Sequence, residues 1–372
     1  MKTVGTTSRD KTGIVQNPLM KLIRTVHAWA GLTLALLLIL SSVTGTLLLW
    51  KDEYVMLTIP EARVNFTPEP RALARIAAAI EATFENNDIL RIQFATAEFP
   101  LSKVTLYDTN YAYVDIDGRV VEQWHMNDRI EEWLYDLHHR LLLDDIGLTI
   151  VGLAAIALVI LVLLGVITFI PLRRLFSRGI WPAGLSSGAL VISHRNLGIV
   201  LALPLLLTLV TGITLAFPFE VEELLLEDIR RSQEYSDAMV VGIDDITGPG
   251  TGDWLPAMER TLAVFPGAVI RTASVPSGFS AHRIIGVQQP GAWNRTGLSL
   301  AYIDEELGYM DLRIDARGVP LVERLVNLGY PLHTGKTGSM LFKLFMTFCG
   351  LGIACLSLFG LVSFIKRKLA AV

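Results

Sequence analysis

Residues 27–50 read HAWAGLTLALLLILSSVTGTLLLW, and residues 194–217 read HRNLGIVLALPLLLTLVTGITLAF. Shifted by 167 residues, they match without a gap at His27/His194, Gly31/Gly198, Ala35/Ala202, Leu36/Leu203, Thr44/Thr211 and Gly45/Gly212. Each run is apolar and long enough to cross about 30 Å of hydrocarbon as a helix. A second pair of runs repeats at a shift of 195. His138 in YDLH matches His333 in YPLH, and each is followed 27 residues on by a glycine, Gly165 or Gly360. Two further apolar runs, near 146–170 and 341–365, therefore complete a duplicated set of four membrane helices.

Composition agrees. Of 372 residues 52% are hydrophobic, too many for an ordinary soluble domain. The first run is too long for a signal-peptide core, and no small-residue cleavage site follows it, so it reads as a retained helix. Basic residues mark the cytoplasmic side: Lys2, Arg9, Lys11, Lys21 and Arg24 before the first helix, Arg173, Arg174 and Arg178 after the second, and Lys366-Arg367-Lys368 at the end. The two long connections carry more acidic than basic residues and should be translocated. Both termini are then cytoplasmic, and the net charge of −4 conceals this asymmetry.

Each long connection begins with a helical pattern and continues with strand-like runs. In the first, RALARIAAAIEATF precedes ILRIQFA (89–95), SKVTLYD (102–108) and YAYVDID (111–117), and Asp117-Gly118 then turns the chain into RVVEQW as a hairpin. In the second, EVEELLLEDIRRS and WLPAMERTLAVF precede AVIRTASV, HRIIGVQQ and LSLAYID. The expected fold is an α-helical membrane protein with four transmembrane helices in an internal duplication, plus two small α+β modules outside the cytoplasm. Its divisions are a tail (1–26), helix (27–50), module (51–137), helix with extension (138–172), cytoplasmic loop (173–193), helix (194–217), module (218–332), helix with extension (333–366) and tail (367–372).

The topology puts His27 and His194 at one depth on the cytoplasmic side, and His138 and His333 at one depth outside. A low-spin haem takes two imidazoles from opposite faces, which facing helices of a bundle can supply. Two bis-histidine haem sites are expected, with irons up to about 30 Å apart. Gly31/Gly198 and Gly45/Gly212 would allow close approach. Arg24, Arg195, Arg140 and Lys336 lie within three residues of the four histidines and are candidate partners for haem propionates. A single histidine at a helix end is more often an anchor than a ligand; four at repeat-equivalent, depth-matched positions favour ligation. The repeat selects His138 over His139, whose counterpart is Thr334. His125, His282, Trp29, Trp50 and Trp181 read as surface, packing or interfacial residues.

Other chemistries lack their motifs. Cys349 and Cys355 lie within one membrane helix, so the translocated connections hold no disulfide framework, and no C-x-x-C-H exists for c-type haem attachment. No Rossmann fingerprint, P-loop, H-E-x-x-H or G-x-S-x-G occurs. The stretch Thr247–Asp253 reads as a flexible turn. The electron donor is expected to be a cytoplasmic partner or a membrane quinol, with membrane lipid as the surroundings and no nucleic acid as partner. Catalytic residues beyond the haem ligands are not identified.

The segments HAWAGL, YDLHHRLL, HRNLGIVLALPLLLTLVTG and YPLHTG resemble those of the PepSY-associated transmembrane family, over about residues 20–368. These are bacterial iron-regulated inner-membrane proteins that include ferrisiderophore reductases. The resemblance implies PepSY-like periplasmic modules, two b-type haems on His27, His194, His138 and His333, and reduction of a ferric siderophore in the periplasm that releases Fe(II). A non-enzymatic membrane protein whose modules bind a periplasmic partner, and a siderophore or iron permease, are the alternatives. The permease would want polar groups at mid-membrane, where these spans offer only Ser and Thr.

Overall fold

The structure is a computed structural model that describes residues 17–176, 179–230, 240–241, 253–277, 280, 282–304 and 310–370. Lys2, Arg9, Lys11, Arg178, the end of EVEELLLEDIRRS and the glycine-rich 247–252 lie outside the described residues. The chain forms two compact units.

The helical unit holds the chain up to Thr46, His138–Ala216 and Leu344 onward. Four of its helices are long and apolar enough to span a membrane: α1 (Pro18–Leu48), α5 (Asp144–Phe169), α6 (Ser187–Ala216) and α11 (Met340–Leu369). α6 drives the packing. Leu197, Leu201, Leu205 and Leu209 recur every four residues on one face and meet Leu158 of α5 and Ile353, Leu356 and Phe359 of α11. The opposite faces stay apolar yet uncovered by protein. Only 17–33% of each span's most apolar stretch is buried, and Leu36, Leu203 and Phe348 are 70%, 78% and 71% exposed. Lipid is the solvent such a surface requires.

Two helices begin earlier than their apolar runs. Asn17 caps α1, its side chain accepting the Leu19 N–H at 3.0 Å, with Pro18 at the first helical position. Ser186 likewise accepts the Ala189 N–H at 3.2 Å near the start of α6. His27 and His194 therefore sit about two turns inside their helices, not at their ends.

The sheet unit comprises Leu47–Leu137 and Phe217–Lys343. Its strands are β1 (Ile89–Gln93), β2 (Ser102–Leu106), β3 (Asn110–Val114), β4 (Val120–His125), β5 (Val240–Val241), β6 (Val269–Ser274), β7 (His282–Gln288), β8 (Ser299–Asp304) and β9 (Met310–Ile314). The two connections do not build separate modules: all nine strands join one antiparallel sheet in the order β4-β3-β2-β1-β6-β7-β8-β9-β5. The junction is β1 against β6, with Ile92 opposite Ala273 and Gln93 opposite Thr272. The hairpin at Asp117-Gly118 is present between β3 and β4, and Gly118 has the positive φ (+85°) its turn needs.

Helices α3 (Pro70–Thr83) and α8 (Trp254–Val264), one from each connection, belong to the same core as this sheet. Leu73, Ile76 and Ile80 of α3 and Met258 of α8 are buried in it with Ile92, Val104, Ile285 and Val287. A second cluster gathers Val55, Ile59, Leu101, Tyr113 and Trp124. The shorter helices are α2 (Lys51–Thr58), α4 (Ile130–Arg140), α7 (Pro218–Arg230), α9 (Leu321–Asn327) and α10 (Gly329–Thr334).

Candidate functional site

Within the helical unit, α1 and α6 bring His27 and His194 together edge-on. Their ring centres are 6.2 Å apart and their planes are inclined by 69°. His27 Nδ1 lies 3.1 Å from the Leu161 carbonyl of α5, and His194 Nδ1 lies 2.8 Å from the Leu356 carbonyl of α11. A carbonyl oxygen only accepts, so Nδ1 carries the hydrogen in both rings. Both Nε2 lone pairs are thereby left for a ligand.

One helical turn beyond each carbonyl stands a glycine. A Cβ on Gly165 would lie 3.0 Å from His27 Cε1, and one on Gly360 would lie 2.9 Å from His194 Nδ1. Each histidine thus leans on the next membrane helix at a place without a side chain and is held there by a backbone bond. The two arrangements are alike: Leu161–Gly165 maps onto Leu356–Gly360 at the same 195-residue shift.

Both imidazoles line a cavity of about 350 Å³, within the range of small-molecule and cofactor sites. Gly31 and Gly198 line it too, as do Arg24, Arg195 and Arg367. Arg24 Nη2 is buried without a hydrogen-bond partner among the described residues. Arg195 is already braced, donating to the Leu175 carbonyl at 2.9 Å and to Asn196 Oδ1 at 3.0 Å. Arg367 Nε donates to the Ser363 carbonyl.

The other two histidines fall in different units. His138, in the last turn of α4, stands against the C-terminal part of α1. Its Nδ1 is 3.1 Å from Thr44 Oγ1, and a Cβ on Gly45 would lie 2.8 Å from its Cε1. Since the Thr44 hydroxyl donates to the Leu40 carbonyl at 2.8 Å, it accepts from His138 Nδ1. His333 ends α10 in the sheet unit. Of the cations expected beside these two, Arg140 keeps a buried Nε without a hydrogen-bond partner among the described residues. Lys336 is already committed, pairing with Asp52 at 3.1 Å. Burial lowers the Lys336 pKa, but Asp52 and its neighbours outweigh this and hold it above the usual lysine value. Gly212 is half-buried in α6. His125 is exposed on β4, and His282 meets Tyr302 edge-on at 6.1 Å.

A metal held through two imidazole nitrogens at about 2.0–2.1 Å each places the ring centres roughly 6 Å apart. The His27–His194 spacing meets that requirement. No group of three or more His, Cys, Asp or Glu is placed to hold a metal ion among the described residues. Two neutral imidazoles in an apolar cavity suit an iron whose other four ligands come from a porphyrin. The unpartnered Arg24 suits an anionic substituent.

Sequence reasoning missed Arg367, whose basic cluster served only as a topology marker, and the roles of Gly165 and Gly360. The shared 195-residue shift was the signal available for the glycines.

A family model for the PepSY-associated TM region matches residues 24–367. No curated protein matches the chain significantly.

Proposed function

Because the chain belongs to the PepSY-associated TM region family, we propose that it is a bacterial inner-membrane electron-transfer protein, with cytoplasmic termini, that carries two b-type haems and reduces ferric siderophore outside the cytoplasm. The observation that carries this reading is the His27–His194 pair: 6.2 Å between ring centres, with both Nδ1 atoms committed to carbonyls. Haem iron, cycling between Fe(III) and Fe(II), would supply the one-electron step.

The protein's own residues supply the rest. Leu161 and Leu356 carbonyls fix the tautomer, orient each ring and raise the basicity of its Nε2. Gly165 and Gly360 let each ring lie flush on the neighbouring helix. Leucines around the cavity exclude water, which sets the local dielectric and hence the potential. Arg24, Arg195 and Arg367 offer cations to the propionates at the cytoplasmic end. The sequence repeat alone assigns His138 and His333 to the second haem, and the sheet unit is assigned the siderophore. The donor is a quinol or a cytoplasmic reductase. The duplication read from the sequence is supported by the recurring carbonyl–glycine cradle and by a strand order that runs outward alike from β1 and from β6.

The test is the absorbance spectrum of detergent-solubilised protein expressed with ample haem. Soret and α bands are expected, with two haems per chain. His27→Ala and His333→Ala should each remove one haem and leave the other. A spectrum without these bands sinks the reading; loss of both haems from either variant sinks the pairing.

A further inference from the structure

The sheet has a second face, opposite the core it shares with α3 and α8. Ile92, Ile270 and Val287 point into the core shared with α3 and α8. Arg91 and Gln288 alternate to the other side, and Arg271, the extra residue of a bulge in β6, has its Cβ there beside Gly297. The connection from β7 to β8 folds back along this side. Gln288 Nε2 donates to the Ala292 carbonyl at 2.8 Å, and Asn294 Nδ2 to the Asn327 carbonyl at 3.0 Å. Asn294 Oδ1 accepts from both the N–H and the hydroxyl of Thr296.

Gly297 makes that course possible. Its φ is +81°, and a Cβ there would lie 2.9 Å from the Gly286 backbone and 3.2 Å from the Arg271 Cβ. The loop therefore lies against β6 and β7 and delivers Arg295 beside Arg271.

Arg91, Arg271 and Arg295 lie along this face, Arg91 reaching the Thr296 carbonyl next to Arg295 and Arg295 standing near Arg271. Arg295 pairs with Glu98 at 2.9 Å, and Glu98 is 64% exposed. Among the described residues, Arg91 and Arg271 donate hydrogen bonds only to neutral acceptors. Arg91 donates to the Thr296 carbonyl at 3.3 Å, and Arg271 donates to Gln288 Oε1 at 2.9 and 2.6 Å. Partial burial pushes both guanidiniums below the usual arginine range, and Arg295 adds to the effect on Arg271 while Glu98 offsets part of it. An anion would reverse that cost. Trp293, 57% exposed, and Tyr330, close to Arg91, put aromatic surface alongside. Lys103, Glu132 and Arg283 are other charged groups of this unit, and each already has an opposite partner.

We infer that Arg91, Arg271 and Arg295 form a binding surface for a polyanionic, aromatic ferric chelate of the catecholate type, in preference to neutral or cationic hydroxamate chelates. Forked N–H donors match chelate oxygens, and guanidinium and indole faces accept catechol rings. This substrate class rests on the reductase reading; the surface itself does not.

The test separates the two. Full-length protein in detergent is titrated calorimetrically with the gallium(III) complex of a hexadentate tris-catecholate, which cannot be reduced in place of iron. Binding is expected, weakening as salt rises, and a gallium hydroxamate complex should bind at least tenfold more weakly. Arg91→Gln with Arg271→Gln should weaken tris-catecholate binding tenfold or more with the haem spectrum unchanged. Arg295→Gln, at the rim, keeps the test open should the double variant misfold, and should cost several-fold alone. Equal binding by the variants, equal binding of the hydroxamate, or displacement by phosphatidylglycerol vesicles (which would make this a lipid-headgroup surface) overturns the inference. Binding by a protein without haem bands would leave the surface standing and remove the reductase.

Discussion

At the scale of single residues, the site is legible where repetition copies it. His27 and His194 stand out because two diverged runs keep a histidine, and Gly165 and Gly360 because they follow two other histidines at equal distance. That each glycine serves the histidine of a different helix is tertiary information, and no spacing within one run contains it. Arg91, Arg271 and Arg295 come from three segments joined only by the sheet, so they were invisible for the same reason. The glycine cradle makes a sharp prediction. Alanine is favoured over glycine in a helix by about 1 kcal/mol, so propensity alone would have Gly165→Ala and Gly360→Ala stabilise. Their Cβ atoms would instead press on the histidine rings, at an overpacking cost of about 1–3 kcal/mol. Haem retention, followed by absorbance during competition with apo-myoglobin, should weaken about tenfold in each. Gly188→Ala, whose Cβ meets nothing within 4 Å, should leave it unchanged. Wild-type retention in the cradle variants would show that the rings do not need these glycines.

At the scale of elements, apolar pattern located the four membrane helices but not their beginnings. Residues 18–26 are polar enough to leave the hydrocarbon yet remain good helix formers behind an Asn-Pro start, so the helix outruns the signal. The same limit hides how α2, α4 and β2 are tied together. Glu132, in the first turn of α4, accepts from Lys51 of α2 at 2.7 Å and from Lys103 of β2 at 2.8 Å. Burial alone would raise the Glu132 pKa, but the two lysines overcome it and bring it down to about 2. Burial and the adjacent Lys51 hold Lys103 below the usual lysine value. A carboxylate with a depressed folded pKa contributes stability above its unfolded value, and that contribution is lost as pH falls through the folded one. The melting temperature of the wild type should therefore drop between about pH 4.5 and 2. Glu132→Gln, which leaves two lysines without their partner, should be less stable by about 3–5 kcal/mol at pH 7 and lack that share of the acid transition. An unaltered acid profile in Glu132→Gln, followed by circular dichroism, would mean that the triad contributes nothing to it.

At the scale of the whole molecule, the two long connections look independent in sequence and share a sheet in structure. Each strand-like run could be read locally because alternation and turn residues are local signals. The pairing of β1 with β6 could not, because it joins residues about 180 positions apart and needs only that both edges be compatible. β9 was missed as well, although Asp315–Gly318 turns the chain at its end as Asp115–Gly118 does after β3. The shared core makes cooperativity the natural expectation: Ile92, fully buried, lies in one cluster with Ile270 and Ala273 of β6 and with Met258 of α8. Ile92→Ala removes side chain from that shared volume, at a cost of about 2–5 kcal/mol. If the sheet unit opens as one body, amide exchange should accelerate in residues 254–304 as well as in residues 89–114, by a similar factor. Two modules that merely touch would confine the acceleration to the first connection, because the second would keep its own core. Exchange read by mass spectrometry on the full-length protein distinguishes these outcomes, and a response limited to 89–114 would return the fold to two separate α+β units.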